Sequence, residues 1–217
     1  MIRASCLLLL AVVSLGLAHE PKGMLAGMLS ASPEGRPKRD VSVQGLTEAE
    51  KSNLLARHNM HRGDVSPSAS NMVVLQWNDE IAKDAQDWAN TCIWDHNPSE
   101  DRETDQWEWV GQNLAKGYGY TMYHYVDSWN EEKEYYNYNR DTCKTGESCG
   151  HYTQVAWAET QFIGCGWNKC GKYDHLVCHY GPGGNYRGER PYEEGTSCSQ
   201  CPWGYRGGCS DKLCKMS

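Results

Sequence analysis

The stretch CGHYTQVAWAETQFIGCG, residues 149–166, decides how the chain is read. It is dense in Tyr, Thr, Val, Trp and Ile, which fit a pleated, half-buried surface. With the residues after it, it predicts strands over 151–157, 163–168 and 176–180, separated by turns. Gly181-Pro182-Gly183-Gly184-Asn185 stops the last one. The first predicted strand opens on His151, boxed by Cys149, Gly150 and Tyr152. A strand has no need of an imidazole there, so His151 is either a surface accident or half of a site.

Upstream the pattern is helical. Thr47-Glu48-Ala49-Glu50 spells a capping box, and Leu54, Leu55 and His58 follow at helical spacing, predicting a helix over 47–62. Asn78 can cap a second helix, whose stripe is Ile81, Ala82, Ala85, Trp88, Ala89 and Cys92. Residues 93–110 are charged and read as irregular. A third helix fits 121–136, with Met122, Tyr125, Val126, Trp129 and Tyr136 on its buried side. Helices first and an antiparallel meander afterwards predict an α+β fold, a sheet covered by helices.

The ends read differently. Arg3 precedes an apolar run over 6–17, with small residues Gly16 and Ala18 placed for cleavage, so 1–18 reads as a signal peptide. That run is short of the roughly 20 apolar residues a membrane span needs. Residues 19–39 lack a period and close on Arg36-Pro37-Lys38-Arg39, a pro-peptide cut site; the alternative is a tail that stays attached. Residues 1–39 hold five Lys/Arg and two Asp/Glu, so the remainder carries −10 against −7 for the whole chain. Such an acidic chain is a poor partner for nucleic acid.

Ten cysteines remain beyond Cys6, an even number that in a secreted chain implies disulfides. Cys198 and Cys201 have zinc-ligand spacing, but an oxidising compartment argues against free thiolates there. Four cysteines crowd the tail after Pro191, which has too little apolar content for a core and relies on its bridges.

Six segments, HNMHR (58–62), WANTCIWDHN (88–97), GQNLA (111–115), CGHYTQVAW (149–157), IGCG (163–166) and CHYGPGGN (178–185), occur in the order found in one family. Over about 46–190 the chain resembles the CAP superfamily of cysteine-rich secretory, antigen 5 and pathogenesis-related 1 proteins. SPSASNM (66–72), GHYTQVAWAET (150–160) and RPYEEGTSCSQCP (190–202) resemble its peptidase-inhibitor members. The resemblance implies an α-β-α sandwich with an antiparallel sheet as a CAP domain over 40–190, then a small disulfide-rich hinge over 191–217. It implies the pairs Cys92–Cys170, Cys165–Cys178, Cys143–Cys149, Cys198–Cys209 and Cys201–Cys214. Where some members have a further bridge, this chain has Val110 and Tyr180.

The resemblance also implies a cleft of two histidines and two acids. By motif these are His96, His151, Glu132 and position 112, where the family's GEN reads GQN and the acid is replaced by Gln112. Two neutral imidazoles suit Zn²⁺ with positions left open for water. With Gln112 in place, a two-acid mechanism is not available. The plain alternative is that His96 and His151 hydrogen-bond Gln112 and Glu132 and tie loop to sheet. The sequence therefore points to a secreted, non-enzymatic protein that binds an extracellular protein, peptide or lipid, with protease inhibition suggested by the resemblance. The alternatives are a metal-assisted peptidase using His96, His151 and Glu132, and a venom- or allergen-type effector.

Overall fold

The computed structural model describes residues 45–217; the expected signal peptide and pro-peptide lie outside the described residues. The helices are α1 (Glu48–Gly63), α2 (Asp79–Thr91), α3 (Met122–Glu131) and α4 (Gly150–Val155). The strands are β1 (Gln76–Trp77), β2 (Gly111–Gly117), β3 (Tyr136–Asn137), β4 (Thr142–Cys143), β5 (Phe162–Cys170), β6 (Tyr173–Gly181), β7 (Cys209–Ser210) and β8 (Leu213–Cys214).

The first two helices begin where local chemistry starts them. Thr47 Oγ1 accepts the Glu50 amide at 3.2 Å, and the Glu50 carboxylate accepts the Thr47 amide at 2.8 Å. Asn78 Oδ1 accepts from the amides of Glu80 and Ile81. Helix α2 buries Ile81, Ala82, Ala85 and Ala89; Trp88 is half-buried, and Cys92 caps the helix in the left-handed region at φ 57°. The third helix is shorter than the sequence predicts: α3 stops at Glu131 and a 3₁₀ turn, Glu132–Tyr135, follows.

Residues 151–157 correct the sequence reading. They do not form a strand; most of them lie in α4, which carries His151 on its first turn. The N-cap residue Cys149 contributes no side-chain hydrogen bond. The open amides of His151 and Tyr152 donate instead to Glu132 Oε2, at 2.9 and 3.1 Å. A carboxylate there satisfies orphan donors and complements the helix dipole. This cap comes from nineteen residues away, so no local pattern announces it.

The main sheet has the order β1-β5-β6-β2. Its three long strands are antiparallel, and the two-residue β1 adds a parallel edge beside β5. Strand β2, which the sequence reading left unassigned, pairs along its full length with β6, from Gly111 opposite Tyr180 to Gly117 opposite Asp174. Alternate residues face opposite sides. On one face Leu114 and Val177 pack with Ala85 and Ala89 of α2. On the other, Ala115, Leu176, Cys178 and Tyr180 pack with Leu54, Tyr125, Val126 and Trp129 of α1 and α3. The result is the three-layer α-β-α sandwich.

Helix α2 lies directly on β5 because two positions there lack a Cβ. A Cβ on Gly164 would stand 2.3 Å from the Ala82 amide nitrogen, and one on Gly166 would stand 2.2 Å from Gln86 Cα. Under the helices, Arg62 is fully buried, and among the described residues no carboxylate pairs with it. Its guanidinium donates to the carbonyls of Val73, Val155, Trp157 and Thr160 at 2.6–3.1 Å. Burial pushes its pKa down to about 9, and the carbonyl cage keeps it charged at neutral pH.

Five bridges join Cys92–Cys170, Cys143–Cys149, Cys165–Cys178, Cys198–Cys209 and Cys201–Cys214. The β7–β8 ribbon is also stitched to residues 72–74 by backbone. Cys214 N donates to Met72 O at 2.8 Å, and Val74 N donates to Cys214 O at 3.0 Å.

Candidate functional site

His96 lies in the loop that returns from α2 to β2. Arg102 holds this loop by donating to Asn97 O and Val110 O while its guanidinium lies over the Trp109 ring. The His96 ring is exposed, and its Nδ1 is 2.6 Å from Gln112 Oε1. Gln112, the second residue of β2, uses its amide nitrogen inward, donating to Asn97 Oδ1 at 2.6 Å and to His179 Nε2 at 3.0 Å. His179 accepts because it is neutral: burial pushes its pKa down to about 3. Two inward acceptors thus fix the amide, leave Oε1 facing His96, and make His96 the Nδ1–H tautomer with a free Nε2 lone pair.

His151 is held by a carboxylate. Its Nδ1 is 2.6 Å from Glu132 Oε1, its backbone amide donates to Oε2, and its ring stacks near Trp129 at 6.1 Å. Its Nε2 is also left free. The His151 carbonyl accepts from Asn113 Nδ2 at 3.1 Å; the same nitrogen donates to the Tyr180 hydroxyl, which lies 2.9 Å from His58 Nε2. His58 is fully buried, and desolvation pushes its pKa down to about 3. Tyr180 therefore wires the core to the His151 segment by hydrogen bonds. His61, on the next turn of α1, faces Asp127 at 2.7 Å.

Gln112 and Asn113 are consecutive, so they reach opposite faces of β2, which is the sheet edge. The structure thus pairs His96 with Gln112 and His151 with Glu132, one pair on each side of that edge. Among the described residues, the donor atoms of His96, His151 and Glu132 do not come within 4.8 Å of one another as a group of three. The three-donor cluster that does is Cys198, Cys201 and Cys214, whose sulfurs are all in disulfides and offer no thiolate. His179, Asn97 and Asn113, which orient the site, carry no sequence signal beyond lying inside the quoted segments.

Residues 55–180 match the model of the cysteine-rich secretory protein family, CAP. The chain belongs to this family. It is 42% identical over 183 residues to "Peptidase inhibitor 16" of Homo sapiens, covering 80% of this chain and 38% of that protein. The chain thus spans less than two-fifths of the length of the Peptidase inhibitor 16 relatives it matches. Among solved structures, Na-ASP-1 is similar at TM-score 0.68 and 27% identity, covering 86% of this chain and 52% of that one. NaASP2 with Zn²⁺ is similar at TM-score 0.66 and 26% identity, covering 79% of this CAP chain and 98% of that one. No helix among the described residues is long and apolar enough to cross a membrane.

Proposed function

We propose that this is a secreted, non-enzymatic CAP protein that acts by binding an extracellular protein. In this reading, residues 1–18 are removed as a signal peptide and 19–39 as a pro-peptide, leaving the CAP domain over 40–190 and the hinge over 191–217. Five disulfides suit that compartment.

The observation that carries the non-enzymatic reading is Gln112, an amide where a second acid would stand, beside a Glu132 that serves as a helix cap. One oxygen accepts the His151 imidazole and the other accepts two backbone amides. It anchors α4 and orients the His151 ring, while Gln112 is an amide that cannot exchange protons as a carboxylate would, so a two-acid mechanism has only one acid to draw on.

The residues partly fit a zinc ion. His96 and His151 each have Nδ1 donating to an oxygen and Nε2 open, the arrangement of metal-ligating imidazoles. A bound zinc would supply Lewis acidity, but only two protein donors are on offer where structural sites use four and catalytic sites three. The reading is a weak cation site formed by His96 and His151.

Protease inhibition rests on the name of the relatives at 42% identity. The loop between Cys201 and Cys209 is braced by two disulfides and exposes Trp203 at 89%, but Tyr205 N donates to Pro202 O at 3.0 Å and Gly204 has φ +87°. That tight turn does not offer the extended backbone a protease groove takes, so partner contact is surface docking. The test is to incubate the secreted protein with casein-derived peptides and, separately, to titrate it against trypsin and chymotrypsin. The reading expects no zinc-dependent peptide cleavage. Cleavage abolished by chelation and by His151→Ala would refute it. Stoichiometric slowing of either protease would identify the bound partner class.

A further inference from the structure

The same face of the sheet that carries Gln112 carries a second feature four residues further along β2, roughly 13 Å away at the strand rise. There, the Cys92–Cys170 bridge, Trp94, Lys116, Tyr173, Asp174 and His175 line a half-open cavity of about 300 Å³. Its walls are two aromatic rings and the Cys92–Cys170 bridge, and its polar groups are unevenly satisfied.

Lys116 is the unmatched cation. Its ammonium sits 5.7 Å from the Trp94 ring centre and 4.8 Å from that of Tyr173. Among the described residues no carboxylate lies within ion-pair distance of it. The one acid in the cavity wall, Asp174, is committed to Lys169 at 2.9 Å and to the Tyr125 hydroxyl at 3.1 Å. Lys172 lies over Tyr173 as well, so two ammonium groups flank that ring while the wall's acid is paired with a third lysine, a setting that favours an anion.

His175 is the unmatched acceptor. It is 3% exposed and its Nε2 is buried with no partner. Burial lowers its pKa while a hydrogen bond to the Ala89 carbonyl opposes the shift, so the ring is neutral. In the neutral ring protonated at Nδ1, Nε2 holds a lone pair that no protein group fills among the described residues. A buried unpaired polar atom is costly, and a donor brought by a ligand would relieve it. The Trp94 ring, half exposed, meets the His175 ring in a T-shaped arrangement at 5.5 Å between ring centres. Lys116 and His175 are directly opposite in the β2–β6 register, so one small molecule can reach both.

We propose that this cavity binds a small aromatic acid with a ring hydroxyl. The carboxylate pairs with Lys116, the ring packs against Trp94 and Tyr173, and the hydroxyl donates to His175 Nε2 as Trp94 swings aside. The volume is at the lower end of ligand pockets and suits a single ring with a short acid arm. The site owes nothing to the His96–His151 cleft.

The probes are 4-hydroxyphenylacetate, phenylacetate, which lacks the hydroxyl, and 4-hydroxyphenethyl alcohol, which lacks the charge. Each is titrated into the full disulfide-bonded protein by calorimetry, with the Trp94 indole N–H followed by NMR. The hydroxy acid is expected to bind and to shift the Trp94 signal, with each lesser probe weaker by about tenfold. Lys116→Met keeps the aliphatic stem on an exposed position and is expected to weaken the hydroxy acid about tenfold while leaving the alcohol unchanged. A silent Trp94 signal, equal affinity for all three probes, or an unaffected Lys116→Met would each overturn the proposal.

Discussion

His151 leans on a carboxylate, and His96 leans on an amide. Both imidazoles point Nδ1 at an oxygen 2.6 Å away and leave Nε2 open, so the two sides of strand β2 look equivalent at first contact. They differ one bond further out. Glu132 is the N-terminal cap of α4, satisfying two amides and an imidazole with one charge. Gln112 is a neutral link between three acceptor and donor groups, tied to His96, Asn97 and His179. A glutamate at 112 would press its charge against Asn97 Oδ1 and the neutral His179, so the amide suits its buried neighbours. One side of the strand serves the helix and the other serves the sheet.

The largest way to break this comparison is to lift α2. Gly166→Val would drive a side chain into Gln86 and displace the helix that leads to the His96 loop. It is expected to cost about 3 kcal/mol or more of stability, the upper range for overpacking. Denaturant unfolding with the disulfides intact checks it, and the His151–Glu132 side should outlast the His96 side in amide exchange.

Next come the two supports themselves. Glu132→Ala removes three hydrogen bonds to a charged acceptor and uncaps α4, for an expected loss of about 3 kcal/mol. Gln112→Met removes a neutral network at similar volume and should cost about 1–2 kcal/mol. Equal losses in urea titrations would erase the distinction between the two sides.

Acid sharpens the contrast further. His58 and His179 are neutral in the fold with pKa values near 3, against an ordinary value of 6.5. The unfolded chain therefore binds more protons between those limits. The stability they confer is complete above pH 6.5 and is lost as pH falls toward 3. The slope is up to about 1.4 kcal/mol per pH unit for each histidine. Thermal unfolding from pH 7 to pH 4 should show a falling midpoint, with the slope reduced in a His179→Gln variant.

The sequence exposes those parts of this design that rest on local chemistry. Thr47–Glu50 and Asn78 start α1 and α2 with side chains three residues or fewer from the amides they satisfy. Helix α4 is hidden because its cap lies on another element and its own residues favour strands. Strand β2 is hidden because GQNLAKG lacks β-branched residues and acquires its structure by pairing with β6. His96 and His151 lie fifty-five positions apart and are reached only through family resemblance, as is the pairing of ten cysteines. The orienting groups Asn97, Asn113 and His179 have no period or spacing to betray them, since their roles are set by which face of one strand they meet.

The most direct test of the central claim is a calorimetric zinc titration of the disulfide-bonded protein, beside its His96→Ala/His151→Ala and Gln112→Glu variants. The account predicts binding weaker than micromolar in the native chain, none at the cleft in the double variant, and about tenfold tighter binding with Gln112→Glu. Submicromolar zinc affinity in the native chain, lost in the double variant and unchanged by Gln112→Glu, would contradict it. The cleft would then be a true metal centre that does not need a second acid.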